Sequence, residues 1–254
     1  MTAPDRIALV TGANRGVGRA TALRLAEDGT DVIITYRSHP DEADAVVDAV
    51  AGLGRTAFAL PLDLSDLSAF GTFTGDVRRV LRDGWERDTF DFLVNNAGVG
   101  ARAPFAETTV EDFDQLMNVN FRGVYFLTQK LLPLIADGGR IINVSSGLTR
   151  TIVGDTSAYA SVKGAVEILT RCLAKELGPR GITANTVAPG AVATDLGGGR
   201  FRDDAAERAR VVAQTALGRV GRPEDIGGVI ASLLSEHTGW INAQTIEASG
   251  GTPM

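Results

Sequence analysis

Short runs of Val, Ile and other apolar residues alternate along this chain with longer amphipathic stretches, and this alternation constrains the fold more than any other feature. Runs at Ile7–Val10, Val32–Thr35, Thr56–Leu60, Phe90–Val94, Arg140–Val144, Ile182–Val187 and Gln244–Glu247 predict strands. Helical spacing covers Arg19–Glu27, Ala43–Val50, Asp76–Leu81, a long segment from Val110 towards Ile135, Ser157–Leu177 and Pro223–Leu234. Strands this apolar, separated by helices, belong in a parallel sheet covered on both faces, so the expected class is α/β, doubly wound. No repeat, low-complexity tract or linker divides the 254 residues, and 1–254 reads as one domain.

Composition removes several functions. A net charge of −6, with the arginines scattered, argues against nucleic acid as the main partner, because phosphate binding needs a concentrated basic face. The single cysteine, Cys172, permits no internal disulfide and suits a reducing cytoplasm. Met1 to Asp5 lacks the basic start and apolar run of a signal peptide. Asn120, Arg122, Gln129, Lys130 and Pro133 interrupt the most apolar region, Val119 to Ile135, which therefore reads as a buried helix and not a membrane span. His39 and His237 stand apart from each other and from Cys172, so no metal site is expected and both read as solvated loop residues.

In a parallel sheet, ligands bind where loops leave the carboxyl ends of the strands. After the first strand comes Thr11-Gly12-Ala13-Asn14-Arg15-Gly16-Val17-Gly18, followed at once by a helix. Glycines there let backbone approach a pyrophosphate, and the helix start offers unpaired N–H groups. The same turn would also serve simply to pack a tight strand–helix unit. The second strand ends Tyr36-Arg37-Ser38, without the acid that would hold a ribose 2′-hydroxyl, and Asp31 lies at its opposite end. Arg37, Arg15 and Ser38 can instead hold a 2′-phosphate by charge-assisted hydrogen bonds, so NADP(H) is expected over NAD(H). Two exposed arginines in an Arg-rich chain are the plainer alternative. Asp63, followed by Leu64, is placed to accept from the adenine amino group or, equally, to cap a helix.

Tyr159 and Lys163 are four apart in a helical segment and share one face. The chain has 22 arginines but only three lysines and three tyrosines, so Lys at this position, where a compact point charge would matter, is telling. Ser145-Ser146 closes the fifth strand on the ligand-binding edge.

Taken together, Thr11-Gly-x-x-x-Gly-x-Gly18, Asn95-Asn-Ala-Gly98, Ser146, Tyr159-x-x-x-Lys163 and Pro189-Gly190 resemble the short-chain dehydrogenase/reductase family, over Ile7 to Gly251. The tail from Gly221-Arg-Pro-Glu-Asp225 to Ser249-Gly-Gly251 is similar to the 3-oxoacyl-carrier-protein-reductase-like branch and its ketoreductase relatives. The resemblance implies a Rossmann-type sheet and hydride transfer between a nicotinamide and a carbonyl/alcohol pair. It implies Tyr159 as acid/base, with its pKa lowered by Lys163 and the oxidised nicotinamide, Ser146 as donor to the carbonyl oxygen, and Lys163 also reaching the nicotinamide ribose. Asn120 would hold a water, with Asn118 the competing neighbour. Asn96, Ala97 and Gly98 would line the adenosine ribose, and Pro189, Gly190, Val192 and Thr194 the nicotinamide amide. A homo-oligomer, often a tetramer, would pair through the helices carrying Asn120 and Tyr159.

The chain departs from that pattern after Ser146, where Gly147 to Val153 is bulkier and bears Arg150. Leu148, Thr151, Val153 and Ala191 are expected to line a small-molecule substrate pocket. The stretch from 191 to about 207, with Gly197-Gly-Gly199, reads as a mobile lid. Competing readings are 3-oxoacyl-carrier-protein reduction, which needs a basic surface to which Arg122, Arg150 and Arg171 could contribute, and a non-catalytic cofactor-binding regulator.

Overall fold

The computed structural model describes residues 6–252. The reading of Met1 to Asp5 as free of a signal peptide lies outside the described residues. The chain runs β1 (Arg6–Val10), α1 (Gly16–Glu27), β2 (Thr30–Tyr36), α2 (Pro40–Gly52), β3 (Ala57–Pro61), α3 (Phe70–Trp85) and β4 (Phe90–Asn95). It continues through α4 (Val110–Met117), α5 (Gly123–Leu131), β5 (Ile135–Val144), α6 (Ser157–Leu177) and β6 (Thr183–Pro189), then α7 (Arg200–Asp203), α8 (Ala205–Gln214), α9 (Pro223–Leu234) and β7 (Thr245–Ala248).

All the strands pair in parallel in one sheet of order β3-β2-β1-β4-β5-β6-β7. Successive side chains of each strand enter opposite layers. Ile7, Leu9 and Ile33 join one core with α3, α5 and α6, while Ala8, Val10, Val32 and Ile34 join another with α1, α2 and α9. The strand order reverses between β1 and β4, and in such sheets the crevice at that reversal is the ligand site. Two buried acids fasten the far edge. Asp31 accepts from Arg55 Nε, the Thr56 amide and Trp85 Nε1, and Asp91 accepts from the Ile7 amide and from Arg6 and Arg87.

The expected single helix from Val110 is two helices joined by a π turn, Asn118–Arg122. Pro133, in a 3₁₀ turn over Leu132–Leu134, ends this segment because it has no N–H to continue the ladder. Strand β5 consequently starts at Ile135, earlier than the pattern suggested, and its pairing with β4 is regular only from Arg140. The Gly-rich stretch expected to be irregular contains α7 and α8; Asp204 caps α8 by accepting from the Ala206 and Glu207 amides. Among the described residues no helix is long and apolar enough to cross a membrane.

Candidate active site

The glycine loop after β1 packs directly on the chain leaving β4. A Cβ on Gly12, whose φ is +62°, would stand 2.9 Å from the Ala97 Cα, and one on Gly18 would stand 2.4 Å from the Gly12 carbonyl oxygen. Thr11 Oγ1 accepts from the amides of Asn96 and Ala97, both at 3.0 Å, and Asn96 Nδ2 donates to the carbonyls of Thr11 and Gly12. The Asn96 side chain is thus committed to shaping the loop. Gly98 faces Asn120 and Lys163 instead: a Cβ there would meet Asn120 Oδ1 at 2.7 Å and Lys163 Nζ at 3.5 Å.

Helix α1 begins at Gly16, with Val17 and Gly18 in its first turn. Its N-cap residue, Arg15, makes no side-chain capping bond, and its first turn holds no acid. The N–H groups there are open to an anion such as a pyrophosphate, which fits a dinucleotide. Arg37 and Ser38 are exposed at the end of β2. Arg15 lies 3.4 Å from Asp195, so the two arginines are not aimed at one point. Asn14 Nδ2 donates to Glu42 Oε2 at 2.7 Å and approaches the Ser38 carbonyl at 3.5 Å. Glu42 therefore places an acid at this rim that the reading of the β2 terminus overlooked, because it comes from the first turn of α2. Asp63 Oδ1 accepts from the amide and hydroxyl of Ser65, a local turn, and Leu64 is buried in the core against Gly123.

On the other side of the crevice, the Gly190 amide donates to the Ala248 carbonyl next to Pro189, and Val192 is buried beside Gly221. The Gly221 amide donates to the Ala191 carbonyl, and the Ala193 amide donates to the Gly221 carbonyl. The Thr194 methyl would lie 3.7 Å from a Cβ on Gly16, so the chain after Val192 passes close to the glycine loop.

The four groups expected to do chemistry come together on buried backbone. Tyr159 and Lys163 share one face of α6, with Lys163 Nζ 5.8 Å from the phenol ring centre and donating to the Val144 carbonyl at 2.9 Å. The π turn rotates Asn120, not Asn118, inward. Its Nδ2 donates to the carbonyls of Val99 and Leu116 at 3.0 Å, and its Oδ1 accepts from the Val99 amide. Ser146 follows β5 and its Oγ accepts from the Leu148 amide at 3.2 Å. Leu148 packs with Tyr159, Leu116, Val99 and Ala101 in a small apolar cluster, of which only Leu148 was foreseen as pocket wall. Thr151 and Val153 lie in the half-buried turn that follows, where Val153 takes a bond from the Thr156 hydroxyl.

Burial pushes the Tyr159 phenol up to about 12, a rise that hydrogen bonding from Ser146 opposes. Burial also pushes Lys163 down to about 8. The expected lowering of Tyr159 is therefore not a property of the chain by itself: Lys163 spends its ammonium on Val144, and desolvation dominates.

A dinucleotide crevice opening beside a buried Tyr–Lys–Ser–Asn group defines an oxidoreductase of the carbonyl/alcohol type, and comparison with known proteins places it more closely. The chain belongs to the short-chain dehydrogenase/reductase family: the family model described as enoyl-(acyl carrier protein) reductase matches residues 12–253. A curated relative, the NADPH-dependent aldehyde reductase 2 (chloroplastic) of Arabidopsis thaliana, is 34% identical over 97% of this chain and 93% of its own. Among solved structures, the promiscuous reductase LugOII, which catalyses keto-reduction at C1 during lugdunomycin biosynthesis, aligns at a TM-score of 0.92 with 38% identity over 98% of both chains. The landomycin C-6 ketoreductase LanV with bound NADP and rabelomycin aligns at 0.88, with 38% identity over 97% of this chain and 96% of its own.

Proposed function

We propose that the chain is an NADP(H)-dependent carbonyl reductase or alcohol dehydrogenase acting on a small apolar ketone or aldehyde. The carrying observation is the buried group itself: Tyr159 and Ser146 stand beside the apolar wall of Leu148, Val99 and Ala101, with Lys163 directly behind Gly98. The cofactor supplies or receives the hydride. The glycine loop and the first turn of α1 receive its pyrophosphate, and Arg37, Arg15 and Ser38 its 2′-phosphate, with Asp63, Leu64 and the 96–98 strand exit on the adenosine side. Pro189, Gly190, Val192 and Thr194 support the nicotinamide end. The NADP-bound LanV structure and the NADPH-dependent relative support this choice of cofactor.

The proton chemistry follows from the chain's own residues. The Leu148 amide occupies an acceptor position of Ser146 Oγ, which leaves the hydroxyl proton to point at a substrate oxygen. Tyr159, held protonated by burial, gives its proton to that oxygen in reduction and takes it back in oxidation. Lys163, poised near 8, supplies the positive charge that favours the phenolate. Of the arginines that could contribute to a carrier-receiving surface for 3-oxoacyl reduction, Arg150 is drawn to Glu247 at 3.6 Å, which weighs against that alternative.

Exposed Tyr125 and Phe126 on α5 and Ile168 on α6 support association of copies through these helices, and the lone, exposed Cys172 suits a cytoplasmic setting. The deciding experiment is titration with NADPH and NADH combined with a panel of ketones, aldehydes and a carrier-bound 3-oxoacyl thioester. Turnover of free ketones with NADPH is expected; turnover of the thioester alone, or cofactor binding with no turnover, would overturn the reading.

A further inference from the structure

Glu167 stands on α6 one turn beyond Lys163 and two beyond Tyr159, on the same face of the helix. Its Oε1 accepts from Ser145 Oγ at 2.9 Å and from Thr149 Oγ1 at 2.7 Å. Each hydroxyl has one proton and a second, more distant acceptor: the Lys163 carbonyl at 3.2 Å for Ser145 and the Ser146 carbonyl at 2.9 Å for Thr149. The shorter, charge-assisted bond takes the proton in each case, so both hydroxyls donate to the carboxylate. Ser145 and Thr149 are the two ends of the turn that carries Ser146. Both ends therefore hang from a single oxygen on the helix that presents Tyr159 and Lys163.

We infer that Glu167 is a positioning residue for carbonyl reduction, fixing the Ser146 hydroxyl relative to Tyr159 by clamping both ends of its turn to α6. This rests on the roles proposed for Ser146 and Tyr159. Ser145 is additionally held through its amide on the Val187 carbonyl, so β6 fixes the near end of the turn by backbone alone. At the far end, the Thr149 amide reaches only the Ser146 carbonyl within the turn itself. Loss of the carboxylate thus frees the segment after Ser146, including Leu148, whose amide orients the serine hydroxyl. Placement errors of this kind act on the transition state more than on cofactor binding, because the Glu167 carboxylate bonds to Ser145 and Thr149, neither of which is assigned to the cofactor.

The test compares Glu167→Leu, Glu167→Gln, Ser146→Ala and the double variant Glu167→Leu/Ser146→Ala, with Ser145→Ala/Thr149→Val as a second way of emptying the clamp. Glu167→Leu should lower kcat about tenfold with NADPH affinity within about twofold, a fraction of the roughly hundredfold expected from losing an oxyanion donor outright. Glu167→Gln keeps an acceptor oxygen and should recover to within about threefold of wild type. In the alcohol-oxidising direction the rise of rate with pH should move to higher pH in Glu167→Leu, because a loosened Ser146 no longer donates to the Tyr159 oxygen and no longer favours its phenolate form. In the Ser146→Ala background, removing Glu167 should cost less than about twofold further, since it acts through that serine. If Glu167→Leu is unstable, Ser145→Ala/Thr149→Val must show the same loss of kcat and the same pH displacement. Wild-type kcat in both clamp variants, or undiminished loss in the Ser146→Ala background, overturns the inference. Full activity of Ser146→Ala would instead overturn the proposed role of Ser146.

Discussion

Around Tyr159, the groups that would do chemistry are almost sealed, with Asn120 at 1% exposure, Lys163 at 5% and Ser146 and Tyr159 at 8%, and backbone carbonyls hold Asn120 and Lys163. Across the crevice, the chain from Ala191 to Gln214 is built differently. Gly197, Gly198 and Gly199 follow one another in the left-handed region, Leu196 is half exposed, and Asp195 makes surface ion pairs with Arg15 and Arg202. Such pairs contribute little in water, whereas backbone acceptors beneath a packed helix hold a side chain in one place. On the proposed function, the difference places each property: the sealed group would fix the reaction, and substrate choice would fall to the less committed walls, this one and the half-buried turn of Thr151 and Val153.

Substitutions in the glycine cradle and the sealed group should therefore be costly, and those on the less committed walls selective. The largest effect is expected from Gly18→Ala, because the new Cβ meets the Gly12 carbonyl at 2.4 Å. Calorimetry should show NADPH affinity falling at least a hundredfold, whereas Gly228→Ala on α9, where a Cβ meets nothing within 4 Å, leaves it unchanged. Equal affinities for the two variants would break the cradle.

Lys163→Ala should lower kcat roughly a hundredfold and weaken NADPH as well, since it removes the charge that favours the phenolate and the ribose contact. The sign of its pH dependence is fixed by burial. Lys163 keeps its proton below about pH 8 and loses it above, so wild-type carbonyl reduction should decline as pH rises through that value. That decline should be missing from the pH profile of Lys163→Ala; its persistence would assign the titration to another group.

Cofactor choice should respond less. Arg37→Asp deletes an attraction and adds a repulsion at the exposed 2′-phosphate rim, shifting the NADPH/NADH ratio of kcat/KM by roughly ten- to a hundredfold. Glu42→Gln keeps an acceptor for Asn14 while removing a charge, and should raise that ratio a few-fold. Unmoved ratios at fixed ionic strength would refute the arginine clamp. Smallest in magnitude, Thr151 and Val153 substitutions should reorder the ketone panel by a few-fold while leaving NADPH affinity alone. An unchanged order would place the pocket elsewhere.

The chain's grammar made much of this legible. Apolar strands alternating with helices dictate the sheet, and the scarcity of Lys and Tyr singled out Tyr159 and Lys163 before any packing was known. The π turn was not legible, since Val110 to Leu134 keeps a helical pattern straight through it, and Val99, one partner of the Asn120 amide, comes from a loop distant in sequence. Glu167 and Glu42 were missed for a common reason. A carboxylate on an amphipathic helix looks like part of a solvated face, and its hydroxyl or amide partners come from turns distant in sequence. The short helices α7 and α8 hid behind three glycines that announce a loop.

The central claim is that Tyr159 moves the proton on a wall that binds cofactor independently of it. Its most direct test is Tyr159→Phe, with kcat for the best ketone and NADPH dissociation measured on the same preparation. The substitution removes one hydroxyl from a buried ring and touches none of the backbone that shapes the cradle. We expect kcat to fall by about two orders of magnitude or more, with NADPH affinity within about threefold of wild type. A variant retaining more than about a tenth of wild-type kcat, or one that loses NADPH and turnover together, would contradict the account.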